Sequence, residues 1–392
     1  MKLAFLCNNM KSTNGVERVL SQRLSLLAES CMYEVYLITY NQYGAPFSFP
    51  ISDKVHYIDL ATRYIECCSY HGLFQYVDRF CSKLFYKRAI QNCLKRIAPD
   101  VITSIDVYLA DLQAVLDSGI EAVKIVECHC GLSAYFGDLE RIQSINKRSK
   151  ERKIKERFVQ MILRFDRIIV MSEDEKKDWG AEDKVVCIPN MLPCYPSEIP
   201  DKSQINHRVI SVGRYAYQKG YDMLLSSWKH VQEKHPDWSL HIFGSRDGGR
   251  GDYELLSSII AAGPMQNVFL HPVTDDVYSE YDKSDIYVMS SRFESFGLVL
   301  IEAMAFGLPV ISFDCKYGPR SIIHDGITGI IVPSKHIEKM AEAICAMIEN
   351  ENKRHCLLTN ARQESMKYLP ETIMPLWHEF YRSLGKGRPI DA

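Results

Sequence analysis

The stretch "SRFESFGLVLIEAMAFGLPVI", residues 291–311, decides how the C-terminal half of this chain is predicted to fold. It carries two glutamates eight positions apart, Glu294 and Glu302, in otherwise mostly apolar surroundings. The apolar run just before it is typical of a buried strand, and Gly297 precedes a helical pattern that ends before Gly307. We therefore predict a strand, a turn, a helix and a further strand.

The position of the two carboxylates indicates a ligand. In open α/β sheets ligands collect at the carboxyl ends of the strands, and a helix N-terminus there offers unpaired N–H groups to an anion. Gly297 would let that ligand approach the backbone closely. A carboxylate accepts hydrogen bonds from two neighbouring hydroxyl groups, so Glu294 and Glu302 suit two polyhydroxylated groups flanking a phosphate. A nucleoside diphosphate sugar has this layout, whereas the alternative is two solvated glutamates of an ordinary helix.

Strand-like and helix-like segments alternate along the whole chain, which predicts doubly wound α/β architecture. We expect strands at residues 2–7, 35–40, 55–60, 100–105, 123–128, 167–171, 184–188, 208–212, 239–243, 268–271, 286–290 and 309–313. Residues 189–204 contain four prolines and are interpreted as a linker. The prediction is an N-terminal Rossmann-like domain at residues 1–195, a second one at 205–369 and a cleft between them. A terminal helix at about 370–392 is expected to pack back on the first domain.

Composition excludes several classes of protein. The chain has 392 residues, 46% of them hydrophobic, and a net charge of −2, which argues against disorder and against a nucleic-acid partner. Its 13 cysteines have no repeated spacing, as expected for reduced thiols rather than a disulfide framework. No signal peptide and no apolar run long enough to span a bilayer are recognisable. We therefore expect a cytoplasmic protein, at most peripheral on the cytoplasmic face of the membrane.

Residues 291–311, followed by "SFDCKYGPRSIIHDGITGIIVP" at 312–333, resemble the signature of family 4 glycosyltransferases of bacterial surface-polysaccharide type. The resemblance implies the GT-B fold, with two Rossmann-like domains facing a central cleft, and retaining sugar transfer without a metal or other cofactor. It implies that Glu294 contacts the donor sugar and that Glu302 holds the ribose. It also implies that the sugar and the distal phosphate are surrounded by backbone N–H groups of Phe296, Gly297, Leu298 and Val299.

Two cations follow the first predicted strand of the second domain, in "VGRYAYQKGYD" at residues 212–222. Arg214 and Lys219 would neutralise a departing diphosphate, whose negative charge grows as the glycosidic bond breaks. The alternative is a solvated pair, but the helix dipole disfavours cations at a helix start, which favours the functional interpretation. The segment is also similar to the G-R-x-x-x-x-K-G pattern of the family.

Other strand ends supply weaker candidates. His129, in "VECHCGLSAY", resembles the histidine that the family places near the anomeric carbon, although a lone histidine is more often structural. Zinc between Cys128 and Cys130 is disfavoured, because no second Cys/His pair has suitable spacing. By the same resemblance, donor contacts are expected at Gly15, Gly244 and Val273. The family usually has two adjacent glycines where this chain has Asn14 and Gly15, an ordinary βα turn being the alternative.

The segment "KRSKERKIKER", residues 147–157, has seven Lys/Arg against two Glu, and residues 73–97 add further basic and apolar side chains. Most such runs are solvated faces, but here they predict contact with an anionic membrane that carries a lipid-linked acceptor. The predicted function is transfer of a hexose or N-acetylhexosamine from a UDP-linked donor to a glycan or lipid-linked glycan in surface polysaccharide biosynthesis. The alternatives are another GT-B enzyme, such as a nucleotide-sugar epimerase or a phosphorylase, and a non-catalytic nucleotide-sugar sensor. No lysine motif typical of a cofactor-dependent phosphorylase is recognisable.

Overall fold

The computed structural model describes residues 1–62, 74–105, 109–132, 144–198, 205–246, 252–263 and 265–385, with the backbone alone at 74–83, 109 and 145. These residues form two compact units. Unit 1 comprises the described residues of Met1–His129, Ser144–Ile188 and Met374–Ala392, and unit 2 those of Cys130–Gln143 and Pro189–Ile373.

The described strands, in chain order, are β1 (Lys2–Cys7), β2 (Glu34–Thr39), β3 (His56–Asp59), β4 (Val101–Ser104), β5 (Val123–Glu127), β6 (Arg167–Val170), β7 (Val185–Cys187), β8 (Arg208–Val212), β9 (Ser239–Phe243), β10 (Val268–His271), β11 (Ile286–Met289), β12 (Phe293–Glu294), β13 (Val310–Phe313), β14 (Lys316–Tyr317) and β15 (Ile330–Val332). The described helices are α1 (Gly15–Glu29), α2 (Phe74–Ile97), α3 (Leu109–Leu116), α4 (Ile145–Ile162), α5 (Glu173–Asp178), α6 (Tyr221–Lys234), α7 (Asp252–Ala262), α8 (Val277–Asp282), α9 (Leu298–Ala305), α10 (Gly318–Ile322), α11 (Ile337–Glu349), α12 (Glu351–Ser365) and α13 (Pro370–Gly385). Short 3₁₀ turns lie at Tyr217–Lys219 and Met366–Tyr368.

Unit 1 is built on a parallel sheet of seven described strands in the order β3-β2-β1-β4-β5-β6-β7. The central strands are almost wholly buried, as expected when helices cover both faces of a parallel sheet. The order reverses between β1 and β4, which is the point where Rossmann-like sheets bind ligands. Within α13, Trp377 and Tyr381 are buried in this unit, which returns the C-terminal helix to the N-terminal sheet.

Unit 2 repeats the plan with a parallel sheet of six described strands, β10-β9-β8-β11-β13-β15. Helices α6 and α11 pack side by side, and Leu224, Trp228 and Ile344 form part of one apolar core with the sheet. A separate parallel pair, β12 with β14, stands outside this sheet, with Glu294 opposite Tyr317. This small pair forms the wall that carries the first glutamate of the motif.

Each predicted strand is present, with ends shifted by no more than a residue, which confirms the interpretation of the alternating pattern. Strand β15 and the two-residue strands β12 and β14 are not predicted, because segments this short carry no periodicity. The predicted linker lies within the described residues only from 189 to 198. Among the helices that the structure describes, none is long and apolar enough to cross a membrane.

Candidate functional site

The loops that follow the strands of unit 2 meet at the carboxyl edge of its parallel sheet. Arg214 follows β8, Gly244 follows β9, Val273 follows β10 and Glu294 follows β11. Because all these strands run in the same direction, residues that are far apart in the chain lie along one edge. The edge therefore collects most of the residues that the sequence predicts for donor binding.

Helix α9 begins at this edge. Its N-cap, Gly297, has φ +94°, a left-handed conformation in which a side chain would be strained. Leu298 and Val299, in the first turn, are half-buried, whereas Phe296 is buried with its ring against Tyr368 at 5.4 Å. The N–H groups at the start of a helix mostly lack partners within it and carry its positive dipole end, which suits an anion. In α9 the N–H of Leu300 already donates to the carbonyl of Gly297 at 2.8 Å, so Leu298 and Val299 are the candidates for contact with an anion.

Glu294 is held by two hydrogen bonds just before this helix. Its Oε1 accepts from Lys219 Nζ at 2.7 Å and from Ser291 Oγ at 2.7 Å, and the residue is only 6% exposed. The nearby thiol of Cys315 is buried, which raises its pKa, and the Glu294 carboxylate adds to that shift. Gly318 packs against this wall so closely that a Cβ would lie 2.2 Å from the carbonyl oxygen of Phe296. The carboxylate is thus fixed in direction, with an ionic partner.

Lys219 reaches Glu294 because its 3₁₀ turn is tied to the segment before β12. The backbone N–H of Arg292 donates to the carbonyl of Gln218 at 2.7 Å, and Gln218 Nε2 donates to the carbonyl of Phe293 at 3.1 Å. The Arg292 guanidinium pairs with both oxygens of Asp222, at 2.9 and 2.6 Å. This bidentate pair fixes the loop between β8 and α6 relative to the motif.

Arg214 differs from Lys219 in being exposed. Among the described residues, its guanidinium has one hydrogen-bond acceptor, Gln218 Oε1 at 3.4 Å. It therefore stays available to an anion at the carboxyl edge of the sheet. Lys219, with a side chain 15% exposed, is already engaged by a carboxylate.

Glu302 is buried inside α9, 3% exposed, and its Oε2 accepts from the hydroxyl of Tyr281 at 3.3 Å. Burial and Tyr221 raise the pKa of Tyr287, and the charges of Glu294 and Glu302 act in the same direction. Both carboxylates therefore lie within electrostatic reach of Tyr287, a buried tyrosine of β11. A buried carboxylate is costly unless it has partners, so Glu302 is not the solvated glutamate of the alternative interpretation.

The other predicted donor contacts, Gly244, Val273 and Gly15, lie in different surroundings. A Cβ on Gly244 would lie 2.0 Å from the carbonyl oxygen of Gly213, so close packing between two loops requires glycine there. Val273 is 44% exposed in the loop after β10. Gly15 is the exposed first residue of α1, and Asn14 before it has φ −77°, so this turn does not use the positive φ that asparagine tolerates.

His129 lies in unit 1, just after β5, with a side chain 6% exposed. Its Nε2 lies 3.0 Å from Oε2 of Glu127, which is fully buried and paired with Arg23 Nη2 at 2.8 and 2.9 Å. Cys128 is buried and Cys130 is exposed, and no group of three or more potential metal ligands occurs among the described residues. The histidine is thus part of a buried charged network.

Sequence reasoning missed the residues that hold the predicted ones in place. Ser291, Arg292 and Tyr281 contact or position the two glutamates and Lys219, and Glu127 and Arg23 hold His129. Arg23 had a detectable signal, because it lies on a mostly apolar stripe of α1 with Val19, Leu24 and Leu27. The others depend on contacts between separate elements and have no local pattern.

Comparison with known proteins shows which families and structures this chain resembles. Residues 197–364 match the family model described as "Glycosyl transferases group 1". An uncharacterized glycosyltransferase of Haemophilus influenzae is 32% identical over 215 residues, which are 54% of this chain and 60% of that protein. The amylovoran biosynthesis glycosyltransferase AmsD of Erwinia amylovora is 26% identical over 386 residues, covering 96% of this chain and 99% of the relative.

A solved structure extends the comparison to the whole chain. A variant of S. aureus TarM, in complex with Fondaparinux, alpha-GlcNAc-glycerol and UDP, superposes with a TM-score of 0.73. The two chains are 14% identical, and the match covers 96% of this chain and 99% of that one. The predicted GT-B fold and the predicted resemblance to glycosyltransferases are confirmed, while the assignment to family 4 stays a prediction.

Proposed function

We propose that this chain, whose residues 197–364 match the family model described as "Glycosyl transferases group 1", is a retaining glycosyltransferase of surface polysaccharide biosynthesis. It moves a hexose or N-acetylhexosamine from a UDP-linked donor to a glycan or lipid-linked glycan. The observation that carries the proposal is the pair of Lys219 and Glu294, 2.7 Å apart, directly before the N-terminus of α9. This arrangement places a cation, a carboxylate and unpaired backbone N–H groups together at the carboxyl edge of a sheet.

In the proposed complex, unit 2 binds the donor. The pyrophosphate accepts hydrogen bonds from backbone N–H groups around Gly297 and is neutralised by Arg214 and Lys219. Glu302, held by Tyr281, accepts from the ribose hydroxyls, and Glu294 accepts from the donor sugar. Because Lys219 pairs with Glu294, movement of Lys219 towards the phosphate would release that carboxylate for the sugar hydroxyls.

Relatives support the class of substrate. The Erwinia relative is named for amylovoran biosynthesis, and TarM was crystallised with UDP and alpha-GlcNAc-glycerol. A poly(glycerol-phosphate) alpha-glucosyltransferase of Bacillus subtilis is a further relative, of which this chain covers 37%. A UDP-linked hexose or N-acetylhexosamine and a bacterial surface glycan are therefore the donor and acceptor classes that we propose.

In the proposed reaction, the bond between the anomeric carbon and the phosphate oxygen breaks as an acceptor hydroxyl oxygen attacks from the same face. The departing phosphate takes the acceptor proton, so the products are a glycoside of retained configuration and a nucleoside diphosphate. Negative charge grows on the phosphate during this step. Arg214 and Lys219 would therefore stabilise the transition state more than the ground state.

We propose that transfer needs no metal, because two cations and a helix N-terminus supply positive charge beside the leaving group. Activity of the full chain with a large excess of EDTA, compared with activity in added Mg²⁺ or Mn²⁺, tests this. Equal rates are expected. A rate that collapses with EDTA and recovers with one divalent ion would contradict metal independence while leaving the transferase proposal intact.

The function is tested by binding and turnover with a panel of UDP-, GDP- and ADP-linked sugars. A cognate donor at a hundred times its dissociation constant should stabilise the chain by about 2.7 kcal/mol, seen as a rise in the unfolding midpoint. Glu302→Gln should weaken donor binding, whereas Glu338→Gln, an exposed glutamate on α11, should not. The anomeric configuration of the glycoside, read by NMR, should match that of the donor.

The same assays separate the rivals. An epimerase would convert the nucleotide sugar without any acceptor. A sensor would bind donor with no turnover, and Glu294→Gln would weaken binding without altering any rate. The proposal would be wrong if no nucleotide sugar raised the unfolding midpoint, or if the product had inverted configuration.

We further propose that unit 1 contacts an anionic membrane through α2 and α4, which both pack against α3. Helix α4 exposes Lys150, Lys153 and Arg157 together with Ile154, which is 44% exposed, and α2 exposes Phe85 at 72%. Each basic residue near an anionic surface contributes about 1 kcal/mol, and exposed apolar side chains can enter the interface. An anionic bilayer therefore fits this surface by charge and by apolar content.

Flotation with vesicles of phosphatidylglycerol in phosphatidylcholine tests this contact. Reversing Lys150, Lys153 and Arg157 to Glu should weaken binding at least about a hundredfold, because three attractive charges are lost. The matched control reverses three lysines of unit 2, Lys229, Lys234 and Lys339. Equal binding by both triple variants, or binding insensitive to salt, would rule out the proposed surface.

A further inference from the structure

Unit 1 contains a buried cluster of ionisable side chains. It consists of Arg23 on α1 and of Glu127 and His129 at the end of β5, with side-chain exposures of 2%, 0% and 6%. The family resemblance implies a place near the anomeric carbon for His129, and it gives Arg23 and Glu127 no role. Burying three ionisable groups costs free energy unless they are paired, so their contacts with one another must offset that cost.

The fold brings the three side chains together in a simple way. Glu127 is the last residue of β5, and His129 lies in the turn that follows it. Arg23 lies on the buried stripe of α1, and its Nη2 donates to both oxygens of Glu127 at 2.8 and 2.9 Å. The carboxylate then accepts from His129 Nε2 at 3.0 Å.

The C-terminal helix fixes the arginine from the other side. The Arg23 guanidinium lies over the ring of Trp377 at 4.0 Å and near Phe5 at 5.5 Å. Tyr381, on the same helix as Trp377, is buried beside it and experiences the charges of both Arg23 and Glu127. Because these rings confine the guanidinium of Arg23, it has one orientation. Its hydrogen bonds therefore hold the carboxylate of Glu127 in one orientation as well.

The charge state of the cluster follows from its contacts. Burial alone would raise the pKa of Glu127, but the Arg23 charge and the hydrogen bond with His129 outweigh it, so its pKa lies below the usual value. The carboxylate is therefore ionised, and it can only accept a hydrogen bond. A neutral imidazole beside it must carry its proton on Nε2 and present a lone pair on Nδ1.

We propose that Glu127, held by Arg23, is a positioning residue that fixes the ring of His129 and its Nε2-protonated tautomer. A role of His129 in sugar transfer rests on the proposed glycosyltransferase function. The tautomer itself follows from the geometry of unit 1 and is measurable without turnover. An experiment can therefore distinguish failure of the tautomer proposal from failure of the proposed glycosyltransferase function.

The tautomer is read from two-bond ¹⁵N–¹H correlations of the full chain labelled with ¹⁵N-histidine at pH 7.5, with His129→Gln assigning the signal. The expected pattern for His129 is a protonated Nε2. In Glu127→Gln the Nε2 proton is no longer drawn to a charge, so we expect a mixture of tautomers. Glu175→Gln, which alters another buried glutamate of unit 1, should leave the His129 signal unchanged.

Kinetics supply the second readout. Glu127→Gln should lower kcat about 10–100-fold, the range seen when a partner of a functional histidine is lost, with the KM for donor changed less than twofold. His129→Gln should lower kcat at least as much. Because Glu127→Gln leaves a buried guanidinium unpaired, the double variant Arg23→Met with Glu127→Gln serves where the single variant does not fold.

Loss of kcat together with a mixed tautomer, in whichever variant keeps the circular dichroism of the parent, supports the proposal. An Nδ1-protonated His129 in the parent overturns it, as does a folded variant that keeps parental kcat and tautomer. A His129→Gln variant with parental kcat also overturns it, because His129 would then have no role in the reaction that its orientation could affect. Absence of turnover by the parent with every donor would instead sink the transferase function, and the NMR result would stand alone.

Discussion

At the scale of single residues, the most informative contact is that of Lys219 with Glu294. The two are 75 positions apart in sequence, and yet Nζ and Oε1 lie 2.7 Å apart at the start of α9. Their side chains are 15% and 8% exposed, so this pair is not an ordinary surface salt bridge. A partly buried ion pair beside an unpaired helix terminus is a pre-oriented site, and pre-orientation is what electrostatic catalysis needs.

Replacing Lys219 with Met tests this residue-scale reasoning. The variant keeps the length of the side chain and removes its charge, so kcat should fall about 10²–10³-fold, as when one charge-stabilising group is lost. Steady-state rates with the cognate nucleotide sugar measure the change. Lys229→Met, on the exposed side of α6, should behave as the parent. A Lys219 variant with parental kcat would show that the leaving group is stabilised elsewhere.

At the scale of elements, the two-residue strands β12 and β14 decide where Glu294 points. They pair in parallel outside the main sheet, and α10 follows β14 directly. Gly318, at the start of α10, packs directly against β12 and the residue Phe296 that follows it. A Cβ there would lie 2.2 Å from the carbonyl oxygen of Phe296 and 3.1 Å from Cβ of Glu294. Backbone contact of this kind cannot be relieved by a change of rotamer.

Gly318→Ala should therefore displace the loop that carries Phe296 and Glu294. Forced overpacking of this kind typically costs about 1–3 kcal/mol of the free energy of unfolding, and donor affinity should fall as well. Urea denaturation and calorimetric titration with the nucleotide sugar measure the two effects. The control is Gly263→Ala, where the nearest atom to a new Cβ lies at 3.4 Å. If Gly318→Ala kept the parental stability and donor affinity, the pair of β12 and β14 would have to shift easily enough to accommodate the added Cβ.

The edge strand β10 and its neighbour β9 carry a histidine pair that makes stability depend on pH. His241 Nδ1 lies 2.9 Å from His271 Nε2, and the rings are stacked at 5.1 Å. Burial, Arg208 and His271 lower the pKa of His241 to about 4, whereas an unfolded histidine titrates near 6.5. The unfolded chain therefore binds more protons between these values, and stability is lost as pH falls from about 6.5 towards about 4.

Urea denaturation at pH 7.5 and pH 5.0 checks this expectation. The difference in the free energy of unfolding between the two pH values should shrink in His241→Gln, because one depressed pKa is removed. His230→Gln, which alters an exposed histidine on α6, should keep the parental difference. If His241→Gln retained the full pH dependence, other groups would have to be responsible for it.

At the scale of the whole molecule, the chain returns at its C-terminus to the unit in which it began. From Met374 onward, α13 belongs to unit 1, and Trp377, Phe380 and Tyr381 are buried there. The rings of Trp377 and Tyr381 stack with centroids 5.8 Å apart. Unit 1 is thus completed by residues that follow the whole of unit 2 in the sequence, so its stability depends on both ends of the chain.

Trp377→Ala should destabilise unit 1 by about 3–5 kcal/mol, because a large buried side chain is replaced by a cavity. Donor binding, proposed for unit 2, should persist at temperatures below the unfolding of unit 1. Leu376→Ala is a matched control, since that side chain is 40% exposed on the same helix. Calorimetry with and without nucleotide sugar separates the effects. Equal loss of stability in both variants would show that burial of Trp377 contributes little.

The sequence by itself determined the fold class, the strands and the residues most closely tied to chemistry. Apolar runs that alternate with helical patterns indicate strands of a parallel sheet buried on both faces. This pattern lies within each short segment, so it can be recognised without knowing which segments pair with one another. The glutamate spacing and Gly297 are likewise local features of one strand–helix turn. For that reason Glu294, Glu302 and Lys219 could be nominated before any contact was known, and their roles stay predictions.

Only the tertiary structure decided what holds those residues in place. Ser291, Tyr281 and Arg292 act across loops, and the bond of Arg23 with Glu127 joins residues 104 positions apart. Strands of two or three residues, such as β12 and β15, exist because a neighbouring strand pairs with them, not because of their own sequence. Contacts of this kind depend on distances in space, and no periodicity along the chain records them.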